Sequence, residues 1–181
     1  WRMGQPENRF DRMAQRIFYL LRMTLLHGRI VRKRNLYGGL MHACLFGGFI
    51  TLLTGTTLVM IEADIAAPVF GVNFLHGDFY LGFKLAMNLG GLLLLMGIAL
   101  ALYRRMVLKP ATQESSADDG LILVWLAVLV VQGYALQALR LALTHDPWAM
   151  WSFVSYPLAQ ALRGIAPGVL SSMHQIAWWS H

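Results

Sequence analysis

The sequence predicts an all-α fold, a bundle of transmembrane helices, and its composition is the first reason. Of its 181 residues, 57% are hydrophobic and only 13% are charged, and the mean hydropathy is +0.52. A soluble domain is roughly 45–50% apolar and about 25% charged, because its surface faces water. Long uncharged stretches and a one-sided distribution of Lys and Arg are the second and third reasons.

Four stretches of the chain are long, apolar and nearly free of charge. A helix needs about 20 apolar residues to cross roughly 30 Å of hydrocarbon, and lipid admits only helices or closed barrels. Runs this long lack the alternation of barrel strands. We expect three complete spans and the start of a fourth, in residues 35–61, 79–103, 120–139 and 164–181. We also expect one span before Trp1 and a continuation of the fourth after His181.

The basic residues fall on one side of these spans. Arginine is frequent in residues 1–34, and Arg104, Arg105 and Lys109 follow the second span. The positive-inside rule places such segments in the cytoplasm. We expect residues 1–34 and 104–119 to be cytoplasmic, residues 62–78 and 141–165 to face outward, and the protein to lie in the inner (cytoplasmic) membrane. The net charge of +6 is therefore a topology signal, and it predicts no nucleic-acid partner.

The chain divides into a basic segment and a bundle. Residues 1–36 form the cytoplasmic segment, and residues 37–181 form the transmembrane bundle, truncated at its C-terminal end. Residues 9–31 mix arginines with large apolar side chains. This pattern is typical of an interfacial helix on anionic lipid, and it equally fits a helix packed on a soluble partner.

His42 is the first candidate functional residue, because it lies at membrane depth in the first span. An ionisable group there needs compensation, and binding to haem iron supplies it. The alternative is a hydrogen bond between helices. Cys44 is the single cysteine, so imidazole is the only abundant metal ligand in the chain. Glycines around His42 and in the second span suit a flat porphyrin, although they equally suit close helix packing.

His174 and His181 are seven residues apart and share one face of the fourth helix. If that helix begins near Gly168, His181 lies roughly 20 Å into the membrane and can share a haem with His42. If it begins near Ser172, His181 is only about 13 Å deep, and His42 then needs a partner beyond the end of the chain. The sequence leaves both alternatives open.

Four further residues are candidates for binding a cofactor. Lys84 lies one turn into the second span and either donates to a quinone carbonyl or extends its ammonium to the interface. His76, beside the acidic outer loop, is a second quinone candidate or a solvated histidine. Arg104 and Arg105 either bind haem propionates or anchor the helix on the cytoplasmic side.

The chain resembles the cytochrome b (gamma) subunit of respiratory nitrate reductase and, more closely, the related membrane domains of heterodisulfide-reductase-like proteins. Three segments carry the likeness, which covers nearly the whole chain. They are Gly39-Leu40-Met41-His42 running to Leu53-Thr54-Gly55-Thr56, Lys84-Leu85-Ala86-Met87-Asn88-Leu89-Gly90-Gly91 running to Tyr103-Arg104-Arg105, and His174 to His181.

The resemblance implies quinone-linked electron transfer through haem b. His42 matches the ligand of the haem nearer the cytoplasm, and His181 matches a ligand on the fourth visible helix, with His174 as the alternative. Lys84 matches a lysine implicated in quinol binding near the outer surface. In fused relatives, iron–sulfur and cysteine-rich domains follow the membrane part.

The sequence departs from the family pattern at a few positions. Thr56 stands where the nitrate reductase subunit has a second histidine, so the expectation is one haem b, or two if the second uses a different ligand set. Asn88 and Gln137 stand where fused relatives often carry acids. In such relatives the histidine opposite His42 lies further along the fourth helix than His181.

The sequence therefore predicts a membrane haem b subunit or domain of a quinone oxidoreductase complex. It would transfer electrons between a cytoplasmic iron–sulfur partner and membrane menaquinone or ubiquinone. A haem-free membrane anchor for a redox complex is the main alternative, and it leaves His42 unexplained. A transporter or proton-conducting bundle would have a broken helix or an internal repeat, and the sequence contains neither.

Overall fold

The computed structural model describes residues 11–25, 36–109, 117–144 and 146–181. Within these ranges every regular element is a helix. Three helical stretches are long and apolar enough to cross a membrane: Leu36–Phe70, Gly77–Leu108 and Asp118–Thr144. The predicted all-α class and the three complete spans are confirmed, and the chain is a multi-pass membrane protein.

The first helix, α1 (Met13–Leu25), has exposed apolar side chains, among them Ile17, Phe18 and Leu20. Arg16 pairs with Asp11 at its beginning, with 2.6 Å between Nη2 and Oδ1. Both predicted roles of this apolar face, binding to lipid and packing on a soluble partner, stay predictions. Residues 1–10 and 26–35 of the predicted segment 1–36 lie outside the described residues.

Helix α2 (Leu36–Met60) runs on through a π-helical turn (Ile61–Ala66) into the short α3 (Ala67–Phe70). Gly71, with a φ of 65°, ends this helix in the left-handed region that glycine adopts without strain. The Glu62 carboxylate then accepts the backbone N–H groups of Phe74 and Leu75, at 3.1 and 2.5 Å. These bonds hold the loop that returns the chain to the membrane.

Helix α4 (Gly77–Tyr103) continues as a π-helical turn (Arg104–Leu108) and packs along α2. The two backbones approach closely at glycines. A Cβ on Gly48 would lie 2.5 Å from the backbone N of Leu94, and a Cβ on Gly97 would lie 2.6 Å from the backbone N of Leu45. Glycine surfaces therefore set the distance between these two spans.

Helix α5 (Ala117–Thr144) is the third span, and a short 3-10 turn (Ala149–Trp151), α6 (Tyr156–Leu162) and α7 (Pro167–Ser180) follow it. Small buried cores join α5 to α6 and α7 near the α5 C-terminus: Ala138, Leu141, Ala149 and Ala159, and beside them Leu139, Ala142 and Leu170. Helix α7 is the predicted start of a fourth span. It begins at Pro167, near Gly168, which is the predicted start that places His181 deeper in the membrane.

The two ends of the bundle carry opposite charge. We call the end with Arg104 and Arg105 the basic end, and the end with the loops that carry Glu62, Asp78 and Asp146 the acidic end.

Candidate functional site

Lys84 is buried near the acidic end of the bundle, with only 1% of its surface exposed. Its ammonium forms an ion pair with the Asp146 carboxylate and donates to the carbonyl of Trp148 at 3.2 Å. The same nitrogen lies 4.7 Å from the centre of the Tyr80 ring. The charge of this lysine is therefore compensated inside the protein, by residues of the loop that follows α5.

Asp146 balances this charge from the loop that follows α5. Burial raises the pKa of its carboxyl group. Hydrogen bonds from Lys84 and from the Trp148 N–H, together with the charges of Lys84 and Arg140, lower this pKa by a larger amount. The pKa of Asp146 is therefore below its ordinary value, so the carboxylate is ionised at neutral pH. The sequence pointed to Lys84 but not to this partner.

Asn88, one turn from Lys84, is completely buried and joins three parts of the chain. Its Nδ2 donates to the carbonyl of Lys84 at 3.0 Å and to Gln137 Oε1 at 3.3 Å. Its Oδ1 accepts the backbone N–H of Val154 at 3.1 Å, and its carbonyl accepts the Tyr134 hydroxyl at 2.6 Å. The side-chain amides of Asn88 and Gln137 thus bind each other.

A cavity of about 420 Å³ lies between α2, α4, α5 and the end of α7, and we call it the central cavity. Its polar lining residues are Thr56, Tyr134, Gln137 and His181. The remaining lining residues are apolar or glycine: Phe49, Leu52, Leu53, Met87, Gly91, Leu94, Leu126, Leu129, Val130 and Gly133.

His42 is half-buried on α2, outside the lining of the central cavity, and its ring stacks on Phe46 at 6.2 Å. It lies seven residues before Phe49, which lines the cavity, so both residues are on the same face of α2.

The contacts of Gly48 with Leu94 and of Gly97 with Leu45 fix the antiparallel register of α2 and α4. That register places His42 level with Leu100, towards the basic end.

His181 lies further from the basic end. Its Cε1 would be 3.5 Å from a Cβ on Gly133. Because Asn88 faces Gln137 and Gly91 faces Tyr134, the register of α4 and α5 places Gly133 level with Leu92. Leu92 and Leu100 are eight residues apart, which is about 12 Å along a helix. The structure therefore does not bring His42 and His181 to one level of the bundle.

The other predicted residues occupy three separate places. His174 stacks on Trp178 at 6.4 Å, two turns of α7 nearer the acidic end than His181. Arg104 and Arg105 are half-buried about one turn beyond Leu100, and Arg105 Nη1 lies 3.7 Å from Asp119 Oδ2. His76 is exposed just before α4.

No protein-family model matches the chain, and no solved structure matches it. Two curated relatives do. The chain is 26% identical over 192 aligned positions to an EtfAB:quinone oxidoreductase from Syntrophomonas wolfei, with all of the chain aligned. It is 21% identical over 165 positions, 91% of the chain, to one subunit of the dihydromethanophenazine:CoB--CoM heterodisulfide reductase from Methanosarcina barkeri.

The chain spans 26% of the length of the first relative and 60% of the second. Both relatives are named for redox reactions, so the chain is a membrane protein similar to quinone- and disulfide-linked oxidoreductases. This confirms the heterodisulfide-reductase part of the predicted resemblance. Neither relative is named as a nitrate reductase subunit, and that part stays a prediction.

Proposed function

We propose that the chain is the membrane electron-transfer part of a quinone oxidoreductase complex and passes electrons through haem b. One observation carries this proposal: the imidazole of His42 lies within a membrane-spanning helix, in a chain similar over its length to redox proteins. An ionisable ring at that position needs compensation, and binding to haem iron would supply it.

The residues around His42 fit a haem. Gly38 and Gly39 are buried one turn before it, and they give that turn of the helix a surface without side chains. Arg104 and Arg105 lie about one turn beyond the level of His42, where their guanidinium groups would bind haem propionates. Haem b supplies one-electron redox chemistry when it is bound, and the protein around it sets the potential.

His42 would hold the iron from α2. On α7, His181 lies nearer to the level of His42 than His174 does. Its pairing with His42 stays a prediction, because one of the two residues would have to shift along the bundle axis. In the lining of the central cavity, α2 contributes Thr56 and apolar side chains and no imidazole. This lining supports one haem b for each chain, held towards the basic end.

The quinone, menaquinone or ubiquinone, would bind towards the acidic end. The name of one relative supports a quinone. Lys84 stays a candidate residue from the sequence, although its ammonium is paired with Asp146 and the Trp148 carbonyl. His76, exposed before α4, remains the second candidate. The basic end would face the cytoplasm of an inner-membrane protein and meet an iron–sulfur subunit or domain there.

The test is a His42→Ala variant of the full complex, with the haem-to-protein ratio measured by a pyridine haemochrome assay. We expect the ratio to fall to near zero, because an aliphatic side chain cannot ligate iron. His76→Ala is the matched control, since it removes an exposed imidazole, and its ratio should equal that of the wild type. An unchanged ratio in His42→Ala, in protein that elutes normally on size exclusion, contradicts the proposal.

A further inference from the structure

We infer that the central cavity binds the quinone headgroup and that Gln137 donates a hydrogen bond to one of its carbonyl oxygens. This inference rests on the proposed function and gives it a site that neither the relatives nor the sequence pattern identifies. Lys84, the residue that the sequence favoured for this role, is engaged by Asp146 and the Trp148 carbonyl.

The dimensions and lining of the cavity suit a flat, largely apolar ring. Its volume of about 420 Å³ lies within the range of roughly 300–1,000 Å³ for small-molecule sites, which combine apolar walls with a few placed polar groups. Gly91 and Gly133 leave part of the wall without side chains. No Lys, Arg, Asp or Glu is among the lining residues of this described cavity, so a neutral ligand is favoured.

The orientation of the Gln137 amide follows from the hydrogen bonds around it. The backbone N–H of Val154 can only donate, so the Asn88 atom that it meets is the oxygen. The other Asn88 atom is therefore the amide nitrogen, which donates to the carbonyl of Lys84 and to Gln137. Gln137 must present its oxygen to Asn88, and its Nε2 is the donor left for a ligand.

Among the described residues, no group accepts from Gln137 Nε2, and the side chain lines the cavity. Its orientation is fixed by a residue that is itself fully buried. Tyr134, also in the wall, donates its hydroxyl proton to the Asn88 carbonyl, so towards a ligand in the cavity its oxygen can only accept. The wall thus offers a donor for a quinone carbonyl and an acceptor for a quinol hydroxyl.

A haem fits this cavity less well than a quinone. A haem held by two histidines would need a second imidazole, and His181 is the single imidazole in the lining of this described cavity. A haem would also bring two carboxylates, and the lining has no cation to pair with them. A headgroup with two carbonyl oxygens matches the polar groups that are present.

The experiment is a fluorescence-quenching titration of the full chain in detergent with the quinol analogue 2-heptyl-4-hydroxyquinoline N-oxide. Gln137→Met keeps the length of the side chain and removes the donor. We expect the Kd to rise about tenfold, which corresponds to the loss of one hydrogen bond to a neutral acceptor. The haem-to-protein ratio should stay at the wild-type value.

Gln132→Met is the matched control, since it is the same substitution on the same helix. The Gln132 amide donates to the Ala177 carbonyl and the Ser180 hydroxyl, and the residue does not line the central cavity. Its Kd should equal that of the wild type.

Three outcomes overturn the inference. Equal affinity of Gln137→Met and wild type removes Gln137 from the site, and an equal loss in Gln132→Met shows a general effect on the fold. A haem-to-protein ratio that falls in Gln137→Met places a haem in the cavity. In each case a wild-type protein that carries haem leaves the proposed function standing. A wild type without haem and without affinity for the analogue overturns both.

Discussion

Lys84 shows how a charge is kept at membrane depth in this protein. The ammonium is buried by its neighbours, and Asp146 supplies the opposite charge from a loop 62 residues further along the chain. The Trp148 carbonyl and the Tyr80 ring complete its surroundings. A buried ion pair of this kind need not stabilise the protein, but removing one partner leaves an uncompensated charge.

Lys84→Met should therefore lower the free energy of unfolding by about 3–5 kcal/mol, the usual cost of breaking a buried pair. The midpoint of detergent or thermal unfolding measures this loss. The double variant Lys84→Met/Asp146→Asn should recover most of the loss, because asparagine removes the charge and can keep the bond to the Trp148 N–H.

Lys109→Met is the control for the lysine substitution, since Lys109 is exposed beyond α4. Its effect should stay within about 0.5 kcal/mol. If Lys84→Met unfolds at the wild-type midpoint, the ion pair does not contribute to the stability of the fold.

At the residue scale, the sequence could identify groups that are out of place but not their partners. His42 and Lys84 were visible because each interrupts an apolar run. Asp146 was visible only as one acid in an outer loop. The donor role of Gln137 depends on the backbone N–H of Val154, and no spacing pattern predicts a hydrogen bond between α4 and a turn that follows α5.

At the scale of the helices, glycine has a definite role between α2 and α4. The sequence left two interpretations for the glycines, a flat surface for a porphyrin or close helix packing. Gly48 and Gly97 serve close packing, because a Cβ on either would collide with the backbone of the facing helix. Gly91 and Gly133 line the central cavity, and a Cβ on Gly91 would also collide with the Tyr134 hydroxyl.

Gly97→Ala should separate α2 from α4 and destabilise the bundle by about 1–3 kcal/mol, as overpacking of a close contact does. Gly82→Ala on the same helix is the matched control, since nothing lies within 4 Å of its added Cβ, and the added methyl group should cost nothing. Unfolding midpoints of both variants test this. Equal midpoints would show that the close approach of the two helices is not needed for stability.

The ends of the helices were harder to predict than their existence. The first span was expected to end at residue 61, where the apolar run meets Glu62, but the helix continues to Phe70. Composition reports where the membrane ends, whereas the helix ends at Gly71, where the backbone turns left-handed. For the same reason, the sequence could not choose between two starts for α7.

At the scale of the whole molecule, the antiparallel registers separate two levels in the bundle. His42 lies towards the basic end, and His181 lies about 12 Å nearer the acidic end. The proposed arrangement has a haem at the first level and a quinone at the second. It follows from helix contacts between residues far apart in sequence, which is why the sequence alone left the pairing of His42 open.

A dithionite-reduced minus oxidised visible spectrum of the detergent-purified full complex tests the presence of haem b most directly. We expect a sharp α band of the b type, with one haem for each chain in a pyridine haemochrome assay. A well-folded complex without such a band would contradict electron transfer through haem b and leave a haem-free membrane anchor as the better description.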